Sequence, residues 1–240
     1  MAKGLWLGLV ALLLFGCSQT AERSELARTR LQLGLAWLAQ DELVPAERNL
    51  RQALALAPDD YRCSLAMARY YQRAGNHAAA LENYRRAAGL AEQNRDVINN
   101  YGAFLCLLGQ YDAAQQQFSK AVHTASRADA LENAGYCYLR AGEPQKAHAA
   151  LLDATRNEAA KGAALLAEAE RRFGKNERDA SQLLLDVYHR NFAASAQSLW
   201  LEIRFAARAG HPEKIRLAGE QLARNFPQSI QYLHFLANEY

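Results

Sequence analysis

Residues 99–121 read NNYGAFLCLLGQYDAAQQQFSKA. Large and small residues alternate here at helical spacing: Tyr101-Gly102, Leu105, Ala114, Phe118 and Ala121. Gly109 falls between the two runs, where a helix should end. The stretch predicts two short helices joined by a tight turn. Stepping back 34 residues meets the same arrangement as Met67-Ala68, Tyr71, Ala80, Tyr84 and Ala87. A further step back meets Leu33-Gly34, Trp37, Ala46, Leu50 and Ala53, closed by Pro58. A step of 33 forward meets Ala134-Gly135, Tyr138, Ala147, Leu151 and Ala154. Gly75, Gly109 and Gly142 recur at one place in the pattern. Small residues let paired helices approach closely, and the large residue between them fills the gap.

Four units in register resemble the tetratricopeptide-repeat family. The resemblance implies an all-α fold: a right-handed superhelical array of helical hairpins, with a concave groove lined by the first helix of each unit. The units fall near 27–60, 61–94, 95–127 and 128–161. Beyond them the pattern fades. Lys161 to Phe192 still reads as a helical hairpin broken near Gly174-Lys175-Asn176, and Gln197 to Phe226 as another broken at Gly210-His211-Pro212. These give degenerate units near 162–194 and 195–228. Pro227 ends the last of these helices, and Gln228 to Tyr240 reads as a capping helix. The expectation is about six tetratricopeptide-like hairpins over 26–240, the last two degenerate, with a C-terminal capping helix. Atypical ends suit a solenoid, which must finish on a polar face.

Half of the residues are apolar and 22% are charged, which fits a globular chain rather than a disordered one. The formal charge of +3 is too small to argue for nucleic acid. The six histidines, at 77, 123, 148, 189, 211 and 234, are scattered. No two are three or four residues apart, so no helix presents a ready metal pair. No Gly-rich phosphate loop follows a strand. Glu168 and Glu170 are two apart and face different ways on a helix, which reads as solvated surface. The expectation is no enzyme, no metal, no cofactor and no small-molecule substrate. An enzyme hidden in the degenerate half, with Glu168 or His189 at its centre, is the contrary hypothesis.

The first seventeen residues have their own organisation. Lys3 supplies a positive charge, Leu5 to Phe15 an apolar stretch, and Gly16-Cys17 the end. The apolar part is short for a membrane span of about 20 residues but suits a signal peptide. Leu14-Phe15-Gly16-Cys17 resembles the bacterial lipoprotein box. That resemblance implies cleavage after residue 16, lipidation of Cys17, and a short linker over 17–25. Ser18, in place of the Asp that retains such proteins in the inner membrane, implies the periplasmic face of the outer membrane. A plain secretory signal with a chance cysteine is the alternative. Of the other cysteines, Cys106 and Cys137 stand on the first helices of adjacent units. A bridge would need their Cα atoms within about 7 Å, and buried free thiols are the other reading.

Binding is what such an array offers. Leu31, Leu35 and Leu38 share one face of the first helix and are expected to line the groove. Leu33, Gly34 and Trp37 occupy the packing positions. In the third unit Asn99, Ala103 and Cys106 are expected to face the groove. Asn99 and Asn100 have amides suited to a peptide backbone, and equally to capping or packing between helices.

The order of these features, a lipobox and then this array, narrows the likeness. Asn99 to Ala121, the tail from Ser198 to Phe235 and the opening Leu31-Gln32-Leu33-Gly34-Leu35 resemble the type IV pilus biogenesis lipoproteins, the PilF/PilW pilotin family. Membership would imply a lipid-anchored scaffold, with covalent lipid on Cys17 and secretin subunits of the pilus machine as partners. It would support their outer-membrane localisation and multimerisation, and hence twitching motility. A repeat lipoprotein serving outer-membrane protein assembly or cell-wall enzymes is the alternative.

Overall fold

The computed structural model describes the backbone at 3–121, 123–156 and 158–240, and side chains from residue 21 onward except 122 and 157. Residues 1–2 and all side chains of the signal peptide expected over 1–16, and the side chain of Cys17, therefore lie outside the described residues. The described elements are helices: α1 (Lys3–Ala39), α2 (Leu43–Leu56), α3 (Tyr61–Arg73), α4 (His77–Leu90), α5 (Arg95–Leu107), α6 (Tyr111–Ser119), α7 (Arg127–Arg140), α8 (Pro144–Thr155), α9 (Lys161–Gly174), α10 (Arg178–Asn191), α11 (Ala196–Ala209), α12 (Pro212–Asn225) and α13 (Ile230–Leu236). Consecutive helices pair from α1·α2 to α11·α12 as six hairpins, and α13 packs on α11 and α12. The chain is an all-α tetratricopeptide-like array. It forms two compact units, 1–121 with three hairpins and 122–240 with three hairpins and the cap.

Each hairpin turns a corner in the same way. Asp41, Gly75, Gly109, Gly142, Asn176 and Gly210 all have left-handed backbone, with φ between 63° and 76°. Glycine carries no Cβ penalty there, and Asp and Asn tolerate the conformation best among the rest. The next residue then donates its N–H to the carbonyl five back, as in Gln110 to Leu105 (2.9 Å), Glu177 to Arg172 (2.9 Å) and His211 to Ala206 (2.9 Å). This closes the last turn of the first helix. The corners are spaced 34, 34, 33, 34 and 34 residues apart, so the repeat persists through the two hairpins whose sequence has drifted.

Among the second helices, α4 starts on a side-chain cap. Asn76 accepts from the N–H of Ala79. Among first helices, Asp60 caps α3 and Asn94 caps α5 by accepting from the N–H groups of Asp96 and Val97. Pro144 and Pro212 open α8 and α12, where a missing N–H costs nothing.

In the first unit Leu31, Leu38, Ala46, Leu50, Ala66, Met67 and Tyr70 form one core. The ring of Tyr84 lies 5.6 Å from that of Tyr101 and 5.0 Å from that of Phe104, carrying the core into the third hairpin. Small residues admit the large ones: a Cβ at Gly34 would sit 2.5 Å from Leu50 Cδ2, and one at Gly102 would overlap Phe118. In the second unit Leu151, Leu165, Phe173, Leu184, Leu185 and Tyr188 form the corresponding core.

Two expectations change. The segment 17–25, read as linker, belongs to the continuous helix α1; Ser18 to Glu25 holds neither proline nor glycine to stop it. Leu33 and Trp37, read as packing positions, are 43% and 38% exposed. The equivalents of Leu33, Met67 and Tyr101, are buried because α2 and α4 of the preceding hairpins cover them, and those of Trp37, Tyr71 and Leu105, are half-buried and buried. Helix α1 heads the array and packs on α2 and α3 alone among its larger contacts.

Candidate partner-binding groove

The first helices α1, α3 and α5 stand side by side in the first unit, and two cavities open along the face they form. One, of about 450 Å³, is lined by Leu31, Leu35, Tyr61, Leu65, Asp96 and others. The second, of about 390 Å³, is lined by Leu38, Gln72, Arg73, Tyr84 and Leu107 among others. Arg69 and Asn100 line both, so they mark the junction.

Repeat register explains the lining. Leu31, Leu35 and Leu38 recur 34 residues on as Leu65, Arg69 and Gln72, and again as Asn99, Ala103 and Cys106. The first-helix face therefore passes from leucines on α1, through a mixed face on α3, to a polar and small-residue face on α5.

The predicted leucines are brought to the groove, but mostly as its floor. Leu31 and Leu38 are 6% and 8% exposed, because Cys63, Ala66, Met67 and Tyr70 of the next hairpin's first helix pack on them. Leu35 is half-buried and presents more surface. Asn100 lines both cavities while its Nδ2 donates to the carbonyl of Asp96 at 2.7 Å. Asn99 lines neither cavity, and its Oδ1 is buried without a hydrogen-bond partner among the described residues. The second unit of the sequence contributes Tyr61, Leu65 and Arg69, none of which sequence reasoning singled out. The 34-residue steps that lead from Leu31 to Asn99 pass through Leu65, and one step from Leu35 reaches Arg69; Tyr61 carries no such signal.

Polar anchors hold the walls. Asn94 Nδ2 donates to the Tyr61 hydroxyl at 3.0 Å, joining the start of α5 to the start of α3. Arg62 pairs with Asp60 at 2.6 Å, and this hydrogen bond holds the Asp60 carboxyl below the usual range. Arg73 reaches back to Asp41 at 2.7 Å, tying the second hairpin to the corner of the first. Tyr84 donates its hydroxyl proton to Gln72 Oε1 at 2.7 Å, and burial pushes its pKa up to about 12. Arg69 makes no salt bridge among the described residues; it is exposed, and its charge acts on Tyr84.

The residues suggested for a hidden enzyme are not brought together. Glu168 is gripped by Arg171 and Arg172, at 2.5 and 2.7 Å, while His189 pairs with Glu202 at 2.8 Å. No cluster of three potential metal ligands occurs among the described residues. A larger cavity of about 610 Å³ lies in the second unit among α10, α11 and α12, lined by Phe205, Leu217, Glu202 and Lys214 among others. None of the predicted site residues lines it.

No model of a protein family matches the chain. Over 220 residues, 90% of its length, it is 28% identical to the type IV pilus assembly protein PilF of Pseudomonas aeruginosa, of which it spans 87%. The solved structure of Pseudomonas aeruginosa pilF superposes at a TM-score of 0.61 with 28% identity, covering 90% of this chain and 99% of that one. The structure of PilW, a widely conserved type IV pilus biogenesis factor, superposes at 0.60 with 22% identity over 88% of this chain and 98% of the other; that likeness concerns the fold alone. The chain is a tetratricopeptide-repeat protein similar to type IV pilus biogenesis factors.

Proposed function

We propose that this chain is a pilotin: a lipoprotein held on the periplasmic face of the outer membrane through lipid on Cys17. In this reading it binds subunits of the type IV pilus secretin and supports their localisation and multimerisation, and so pilus biogenesis and twitching motility. The observation that carries the reading is similarity to PilF over nine-tenths of the chain. The lipobox Leu14-Phe15-Gly16-Cys17 supports the anchor. The groove of α1, α3 and α5 supports a scaffold, since it offers apolar floor and polar rim without a catalytic cluster.

The physics of the role is simple. Acyl chains add about 0.8 kcal/mol for each buried methylene, so several chains anchor stably. At no more than about 3.5 Å per residue, Leu31 stays within tens of Å of Cys17 and of the membrane. A secretin subunit held near that surface meets its neighbours at raised effective concentration.

The test is membrane fractionation of cells lacking the protein, blotted for the secretin and its heat-resistant multimers. Loss of multimers, or their appearance in the inner membrane, is expected. Normal multimers in the outer membrane would overturn the proposal. Cys17→Ser should release the protein into the periplasm and mislocalise the secretin with it.

A further inference from the structure

We infer that the groove selects a partner segment with one acidic side chain at its middle, flanked by apolar residues, and that Arg69 reads the acid. The inference rests on the reading that a protein segment occupies the groove.

Three observations converge on Arg69. First, it lines both cavities, so a segment running along the face crosses it partway rather than ending on it. The group it meets is then a side-chain carboxylate, not a chain terminus. Second, Arg69 makes no salt bridge among the described residues, while its neighbours on α3 are already committed: Arg62 to Asp60 and Arg73 to Asp41. An arginine offers a planar fork of donors that fits a carboxylate in two hydrogen bonds. Third, apolar side chains stand on both sides of it, among the polar ones that line the same cavities. Leu31, Leu65 and Ala66 form the floor of one cavity, and Leu38 and the exposed Leu107 line the other. A segment seated there would exclude water from the ion pair and strengthen it.

The groove also carries a repulsive element. Asp96 lines the first cavity and is exposed, paired only at 3.6 Å with the equally exposed Arg95. A segment acidic along its whole length would set a carboxylate against Asp96, so selection favours a single central acid. Specificity of this kind needs both the attractive and the repelling charge.

The test uses the full-length chain in living cells, with a photo-crosslinking side chain at position 35 or at position 107, and mass spectrometry of the captured segment. The expected capture is an apolar segment with Asp or Glu near its centre. Arg69→Glu should lower capture by about tenfold or more, Arg69→Lys should keep part of it, and replacing the partner's acid with Lys should restore it to the Arg69→Glu variant. Arg69 is exposed, so an unchanged melting temperature should accompany each variant. Capture of a neutral or basic segment, capture of a chain terminus, or capture by Arg69→Glu within about twofold of the parent would overturn the inference. Absence of capture from both positions would also overturn it. The captured protein's identity separates the two claims: a secretin segment without a central acid sinks the Arg69 reading alone, and a different protein bearing the acid sinks the pilotin reading alone.

Discussion

Gly219 lies under the ring of Phe235, and a Cβ at 219 would overlap ring carbon Cζ. The two are sixteen residues apart, as are Gly34 and Leu50, Gly102 and Phe118, and Gly135 and Leu151. In those pairs the small residue is on the first helix of a hairpin and the large one on the second. Here the contact joins α12 to α13. Stepping the repeat forward explains the change. Gly102 and Gly135 lead to Ala169 and then to Ile203; Phe118 and Leu151 lead to Leu185 and then to Gly219. The sixth hairpin has exchanged small for large: Ile203 on α11 is fully buried, and the cap's Phe235 packs over Gly219 on α12.

Gly219→Leu should therefore detach α13 while leaving the first unit intact. Overpacking of this kind costs about 1–3 kcal/mol. The expected readout is early protease cleavage between 226 and 230, with a modest fall in melting temperature. Protection equal to the parent would mean that Phe235 does not hold the cap.

Adjacent residues on α1 should respond in opposite ways. Gly34→Leu must push aside Leu50, which is fully buried, and should cost about 1–3 kcal/mol. Leu33→Gln and Trp37→Gln alter exposed side chains and should each stay within about 0.5 kcal/mol of the parent. Urea unfolding measures all three. A large loss for Trp37→Gln would mean that another helix covers this face in solution.

That contrast shows where sequence reasoning reached and where it stopped. The hairpins were legible because a Gly or Ala must face each large residue across a close helix pair, which fixes both the spacing and the residue types. Period alone does not tell which copy stands at an end, so Leu33 looks like the buried Met67 and Tyr101, and Trp37 like the buried Leu105. The fifth hairpin reads as degenerate because its substitutions keep the geometry by other means. Asn176 takes the left-handed corner in place of glycine. Ser181 takes the place of a buried alanine by donating its hydroxyl to the Ala169 carbonyl at 2.5 Å. In the groove, Leu31 and Leu35 were visible as an apolar face, but Arg69 was not. What distinguishes it from Arg62 and Arg73 is its lack of an ion-pair partner, a property of three-dimensional neighbours.

Lys161 should be the costliest single charge to remove in the second unit. Its Nζ lies 2.8 Å from Asp129 and 2.5 Å from Glu132, tying α9 to α7 with both Lys161 and Glu132 largely buried. Burial alone would lower its pKa, but the two carboxylate hydrogen bonds outweigh it and the net shift is upward. Lys161→Met leaves Glu132 with only the long Tyr136 hydroxyl contact at 3.3 Å among the described residues and should destabilise by about 1–3 kcal/mol. The exposed pair Arg216–Glu213 is the control, and Arg216→Ala should change little. Denaturant titrations at low and high salt compare them. Equal small effects would mean that water reaches Glu132 when Lys161 is gone.

Alkaline pH should unfold the first unit through Tyr84. Its ordinary pKa is 10, and burial raises it to about 12 in the fold, opposed in part by the charge of Arg69. The unfolded chain thus releases this proton first. Between pH 10 and 12 the unfolded state binds fewer protons than the folded state, so stability falls as pH rises. The contribution is intact below pH 10 and lost through pH 12, amounting to roughly 1.4 kcal/mol for each pH unit of that window. Cys63, raised by burial from 9 to about 11, begins the decline one unit earlier. Tyr84→Phe removes the ionisation and the hydrogen bond to Gln72 together. It should be less stable than the parent at pH 8 and should lose less stability between pH 9 and 12. Urea midpoints across that range, read alongside tyrosinate absorbance, decide the matter. A parallel decline in parent and variant would place the alkaline sensitivity elsewhere, with the buried Cys63 thiol the next residue to replace.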